Sequence, residues 1–136
     1  MIYLDSAALV KMVRSEPGSP ELVHWLNERG DIPLVASALA EVEVTRALRR
    51  SAPQALAGVP GVLARVYRIE IDQRIRAAAA AFPDPMLRSL DAIHLATAQW
   101  LAVQPGGALE AFVTYDARLL KAAEEVGLPT AAPGVA

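Results

Sequence analysis

Cysteine is absent from this 136-residue chain, and aromatic residues make up only 5% of it. Without cysteine, disulfides and thiolate metal sites are both excluded. No apolar run approaches the ~20 residues that a bilayer-spanning helix needs. The opening Met1–Asp5 also has no basic segment before its first acid, so neither a membrane span nor a signal peptide is predicted. We therefore expect a cytoplasmic protein with no membrane partner.

The chain also has no excess of positive charge, since its formal net charge is -2. This value argues against a protein that coats nucleic acid through bulk positive charge. It leaves open an enzyme that meets a phosphate backbone through a local basic rim. The length fits one domain over residues 1–136, and the apolar share of 54% is enough to build its core.

The chain alternates short apolar runs with helical patterns, which predicts an α/β fold with a parallel sheet and crossover helices. Strands are predicted at 1–5, 34–36, 68–71 and 111–115, with an edge strand in the tail from 129 to 136. Helices are predicted at about 6–14, 21–28, 37–50, 53–64, 72–82, 90–103 and 117–126.

Two aspartates end predicted strands. Asp5 follows the first apolar run and Asp116 follows Ala111–Tyr115. Aspartate at a strand-to-helix junction is also a common helix cap, so each can be a cap or a ligand. In open α/β sheets ligands bind beyond the carboxyl ends of the strands, which favours a site. Ser6 follows the first acid as a possible cap, and Thr114 could offer a hydroxyl to a metal-bound water.

Two further acids are predicted on helices. Asp91 begins an apolar helical stretch, where it could also be a cap, and His94 lies on the same helical face. We interpret His94 as a core or supporting residue, because the only other histidine, His24, lies in an unrelated segment. Glu41 and Glu43 point about 200° apart around their helix. Periodicity alone does not decide which of them faces the site.

These acids have no cationic partner close in sequence, so a divalent cation is the natural way to hold them together. A site made of acids and hydroxyls suits Mg²⁺, with Mn²⁺ as its substitute, better than zinc. Asp5, Asp91 and Asp116 are the candidate ligands, and Glu43 would ligate a metal or orient water. Basic residues that could contact a substrate phosphate are Arg46, Arg88 and Arg118.

Four blocks of the sequence together resemble the PIN-domain family, and within it the VapC toxins of VapBC toxin–antitoxin systems. The blocks are Ile2–Ser6, Ser37–Leu39 followed by Glu43–Leu48, Leu90–Ala98 and Thr114–Asp116. The resemblance covers essentially the whole chain. It implies a three-layer α-β-α domain whose parallel sheet has four or five short strands. It also matches the family's helix-borne glutamate to Glu43, with Arg46 three residues on.

The resemblance further implies a Mg²⁺- or Mn²⁺-dependent endoribonuclease that acts on transfer or ribosomal RNA. Its partners would be a cognate VapB-type antitoxin and a second copy of the chain in a homodimer. The main alternative is a PIN-like module that only binds protein or RNA. A haloacid-dehalogenase-like phosphatase would need an acid at the place of Ala7. A receiver domain would need an adjacent acidic pair and a late lysine, and neither is evident.

Overall fold

The computed structural model describes residues 1–135. Its strands β1–β5 span Ile2–Leu4, Leu34–Ser37, Val66–Ile69, Ala111–Val113 and Thr130–Ala131. Its helices α1–α7 span Ser6–Val13, Ser19–Asn27, Leu39–Ser51, Val59–Leu63, Gln73–Ala81, Ser89–Ala102 and Ala117–Glu125, and a 3₁₀ helix occupies Pro53–Gly58.

The five strands form one parallel sheet in the order β3-β2-β1-β4-β5. The chain moves outward from β1 through β2 to β3 and then crosses to β4 on the other side of β1. The strand order therefore reverses between β1 and β4, and this is where an open α/β sheet leaves a crevice for ligands. The predicted α/β class and the parallel sheet are confirmed.

Strand alternation divides the core into two halves. Ile2 and Leu4 face helices α1 to α4 on one side of the sheet. Tyr3 faces the other side, where it packs with Phe112 of β4 and with residues of α6 and α7 such as Leu95. Helix α5 packs on α6. The result is the expected α-β-α arrangement, with helices covering both faces of a parallel sheet.

Several predicted boundaries differ from the structure. The strands predicted at 1–5 and 111–115 are shorter, and the helix predicted at 53–64 is divided into the 3₁₀ helix and α4. Ser37, predicted to start a helix, ends β2 and pairs with Ile69. The strand predicted at 68–71 begins two residues earlier, at Val66. This strand lies at the edge of the sheet with Tyr67 exposed, so its side-chain pattern is weak. The tail does supply an edge strand, at Thr130–Ala131.

No helix within residues 1–135 is both long enough and apolar enough to cross a bilayer.

Candidate active site

Two of the four predicted acids are helix caps at the crevice between β1 and β4. Asp5 accepts a hydrogen bond through Oδ1 from the amide of Ala8, at 2.9 Å, and so caps α1. Asp116 accepts through Oδ1 from the amides of Arg118 and Leu119, and so caps α7. The caps fix both carboxylates at the carboxyl ends of adjacent central strands. The capping role and a functional role are therefore compatible at both positions.

Asp5 is the most deeply buried of these acids, with only 4% of its surface exposed. Burial raises the pKa of its carboxyl, and hydrogen bonds from Thr114 and Ala8 offset only part of that rise. The negative charge of Asp91 adds to this rise in the pKa of Asp5. Thr114 is itself fully buried, and its hydroxyl accepts from the amide of Asp116 at 3.2 Å.

Asp91 is not the cap of its helix. The N-cap position of α6 is Arg88, and Asp91 lies in the first turn, where a carboxylate is favoured by the helix dipole. Its Oδ2 accepts from Nε of Arg88 at 3.0 Å. The same guanidinium donates through an Nη atom to Oδ2 of Asp116 at 2.9 Å. Arg88 thus joins the acids at the starts of α6 and α7. The expectation that the acids have no cationic partner close in sequence is therefore wrong for Asp91, which pairs with Arg88 three residues earlier.

The structure settles which glutamate of α3 faces the site. Oε1 of Glu43 accepts from the hydroxyl of Ser6 at 2.7 Å and lies 2.7 Å from Nε2 of His94. Glu41 instead pairs with Arg68 at 2.6 Å, near the edge strand. The structure thus places Glu43 beside Ser6 and His94 and turns Glu41 away from them, while the functional role of Glu43 stays a prediction.

Sequence analysis missed the residue that completes this network. The hydroxyl of Tyr3 lies 2.7 Å from Nδ1 of His94, and both side chains are buried. Burial alone would raise the pKa of Glu43, but hydrogen bonds from His94 and Ser6 outweigh it and hold that pKa below its ordinary value. An ionised carboxylate only accepts, so Nε2 of His94 donates to Glu43; in the neutral imidazole Nδ1 then accepts from the hydroxyl of Tyr3.

The remaining basic candidates line the rims of two clefts. Arg46 borders a cleft of about 430 Å³ together with Ser6 and Glu43. Arg118 borders another of about 320 Å³ together with Arg88 and Asp91. Both arginines therefore lie beside the acids, as predicted.

The four acids lie in one region of the fold, but their carboxylates do not converge on a single metal position. Within residues 1–135 no three acidic or histidine side chains stand close enough to hold a metal ion as they are. The donors are nonetheless of the right chemistry for a hard cation, because the carboxylates supply only oxygen. Among the described residues no buried side-chain polar atom lacks a hydrogen-bond partner. The acids are thus satisfied by caps, by His94 and by Arg88.

The fold is an α-β-α domain with acids where its strand order reverses, as the resemblance to the PIN-domain family predicts. Comparisons with known proteins identify the same family. The PIN domain model matches residues 2–125. The chain is 54% identical over 137 aligned residues to Ribonuclease VapC35 of Mycobacterium tuberculosis, covering 100% of this chain and 99% of that relative. It is 42% identical to Ribonuclease VapC46 of the same species, with 97% of each covered.

Two solved structures share the fold at low sequence identity. A crystal structure of VapBC2 from Rickettsia felis, bound to a DNA fragment from the promoter, superposes with a TM-score of 0.70 at 12% identity, covering 98% of this chain and 99% of that one. Mycobacterium tuberculosis VapC20, described as a sarcin-ricin loop cleaving toxin, gives 0.67 at 11% identity, covering 94% and 96%. This chain belongs to the PIN-domain family and, within it, to the VapC-type members.

Proposed function

We propose that this chain is the toxin of a type II toxin–antitoxin pair and acts as a divalent-metal-dependent endoribonuclease. The observation that carries the proposal is the gathering of Asp5, Glu43, Asp91 and Asp116 at the reversal of the strand order. Full-length identity of 54% to a protein named as a ribonuclease supports it. The substrate we propose is a structured RNA, either transfer or ribosomal.

The residues that would hold the metal are Asp5, Asp91 and Asp116, and the ion we propose is Mg²⁺, with Mn²⁺ able to replace it. Three carboxylates beside a phosphodiester would repel it without a cation. When bound, such an ion supplies Lewis acidity and lowers the pKa of a bound water. The helix caps engage Oδ1 of Asp5 and of Asp116, and Oδ2 of Asp116 accepts from Arg88.

Glu43 is the residue we assign to orienting the attacking water. Both of its hydrogen bonds, from Ser6 and His94, go to Oε1, so the carboxylate is held in one rotamer while Oε2 can accept from a water. Its lowered pKa keeps it ionised at neutral pH, so that it can accept a hydrogen bond from a water. Arg46 and Arg118 on the cleft rims are the proposed contacts to RNA phosphates.

The proposed partners are a VapB-type antitoxin and a second copy of this chain. The Rickettsia felis relative in the comparison was crystallised as a VapBC pair, and this supports the first proposal. Co-purification with the cognate antitoxin, and the mass of the isolated protein by light scattering, test the two proposals separately.

The decisive experiment is cleavage of total cellular RNA by the purified protein with Mg²⁺, with Mn²⁺ and with EDTA. Asp91→Asn, which keeps the side-chain size, is the matched variant. We expect discrete fragments that need metal and disappear in the variant, with a loss of at least about 100-fold, because Asp91→Asn removes a charged ligand of the proposed metal, whose contribution to such reactions is several kcal/mol. Equal background cleavage by both proteins would favour a PIN-like module that binds without cutting.

A further inference from the structure

We propose that Arg88 is a resident counter-ion for Asp91 and Asp116, which a divalent cation must displace when it binds. The inference rests on the metal dependence proposed above. It concerns what the chain does with these acids in the absence of metal. The observations that carry it are the two hydrogen-bonded ion pairs that one guanidinium makes.

The geometry of the bridge is specific to an arginine. Nε contacts Asp91 at 3.0 Å and an Nη nitrogen contacts Asp116 at 2.9 Å, so two separate carboxylates share one planar group. A guanidinium presents its donors in a rigid fork, whereas an ammonium is a point charge on a flexible stem. The bridge links the start of α6 to the start of α7, across 28 residues of sequence.

Arg88 takes the oxygens that a metal would need. It engages Oδ2 of both acids, and Oδ1 of Asp116 is already committed to the amides of α7. A divalent ion between Asp91 and Asp116 would therefore stand next to a positive guanidinium unless the arginine moved. Metal binding and the Arg88 bridge are thus linked, and each weakens the other by the same factor.

The arginine is free to leave. Two-thirds of its side chain, 67%, is exposed, against 19% and 31% for the two acids. Once released, it remains on the rim of the cleft of about 320 Å³ that Arg118 and Lys121 also line. There it can contact a phosphate of the RNA. In the metal-free protein Arg88 would neutralise the two acids, and in the metal-bound protein it would neutralise a phosphate of the substrate.

The expected change in metal affinity follows from the free energy that an exposed ion pair contributes. Each such pair is weak, and two pairs together correspond to about a tenfold change in an equilibrium constant. We therefore expect Arg88→Gln to bind Mn²⁺ about tenfold more tightly than wild type, with titration calorimetry at physiological salt as the measurement. Arg88→Lys keeps the charge but not the fork, and its affinity should lie between the two.

Arg118→Gln is the matched control. It removes the same charge from the same rim, but the Arg118 side chain makes no ion pair with an acid among the described residues. It measures the general field of one lost positive charge, and we expect less than a threefold change in affinity. An Arg88→Gln affinity that is unchanged, weaker, or shifted no more than that of Arg118→Gln would overturn the inference.

A metal-free measurement separates this inference from the proposed function. In EDTA, the denaturation midpoints of Arg88→Gln, Asp116→Asn and the double variant form a cycle. The bridge predicts that the two changes are not additive, and additivity would overturn it. If wild type bound no Mn²⁺ while the cycle showed coupling, the metal dependence would fail and the displacement with it. Mn²⁺ binding that Arg88→Gln leaves unaltered would overturn only the displacement.

Discussion

Removal of one buried hydroxyl tests the network behind Glu43. In Tyr3→Phe the ring keeps its place, stacked on Phe112 with centroids 5.1 Å apart and planes 4° apart. No cavity is therefore created beyond the space of one oxygen. What is lost is the hydrogen bond to Nδ1 of His94, and that nitrogen is left buried without its donor.

The expected cost is about 1–2 kcal/mol of unfolding free energy, the usual penalty for a buried polar group deprived of its partner. For a domain of this length it corresponds to a fall of about 3–7 °C in Tm. Because Nδ1 of His94 loses its partner, the imidazole is held less firmly, and so is Glu43 on its other side. We expect kcat to fall about three- to tenfold, the range for a loosened but intact catalytic group, while the Mn²⁺ affinity stays unchanged.

Tyr115→Phe is the control for this experiment. The hydroxyl of Tyr115 donates to the carbonyl of Pro133 at 2.8 Å, but the residue is only half-buried, so water can replace the lost donor. We expect less than about 0.7 kcal/mol there. The tautomer of His94 can be observed directly by ¹⁵N NMR in wild type and in Tyr3→Phe. Glu43 still requires a donor at Nε2, so the same tautomer is expected in both proteins. A Tyr3→Phe protein as stable as Tyr115→Phe, with kcat unchanged, would refute the reasoning.

Three other substitutions follow, one from the site and two from the backbone. The raised pKa of Asp5 means that its ionised form is less stable in the folded than in the unfolded chain. Stability is therefore lost as pH rises from the ordinary carboxyl pKa of about 4 through the raised value. Asp5→Asn keeps a capping oxygen but removes the buried charge. Thermal melts should therefore show a higher Tm than wild type at pH 7 and a similar Tm at pH 3, and RNA cleavage should be abolished. A lower Tm than wild type at pH 7 would contradict this. For the backbone, a Cβ on Gly107 would lie 2.2 Å from the carbonyl oxygen of Leu101, whereas one on Gly61 in α4 meets nothing within 4 Å. Gly107→Ala should cost about 2 kcal/mol or more and Gly61→Ala should gain about 0.5 kcal/mol, as urea denaturation can show.

Local sequence was enough to locate the strand ends that carry acids. β1 and β4 are short apolar runs followed closely by aspartate, and both predictions are confirmed in position. Helix α7 also ends as expected, with Gly127 just beyond it at φ +83°. These signals are local, because burial of a strand and the capping of a helix leave their mark on neighbouring residues.

Other features depend on contacts between distant elements, and local patterns do not contain them. Glu41 and Glu43 flank the same buried face of α3, so periodicity could not choose between them; the resemblance did. Strand alternation places Tyr3 on one side of the sheet, but only the position of α6 brings His94 to its hydroxyl. The bridge from Arg88 to Asp116 likewise requires α6 and α7 to be packed together.

The pairing of the two central strands has a consequence for synthesis of the protein. β1 lies at the start of the chain and pairs with β4, Tyr3 against Phe112. Contacts so distant in sequence form late in folding, because the entropy of closing a long loop is lost before the contacts can stabilise the chain. A nascent chain that stops short of β4 lacks Asp116 and the neighbour that fixes one wall of the crevice. The crevice that gathers the four acids therefore cannot form until nearly the whole chain has been made.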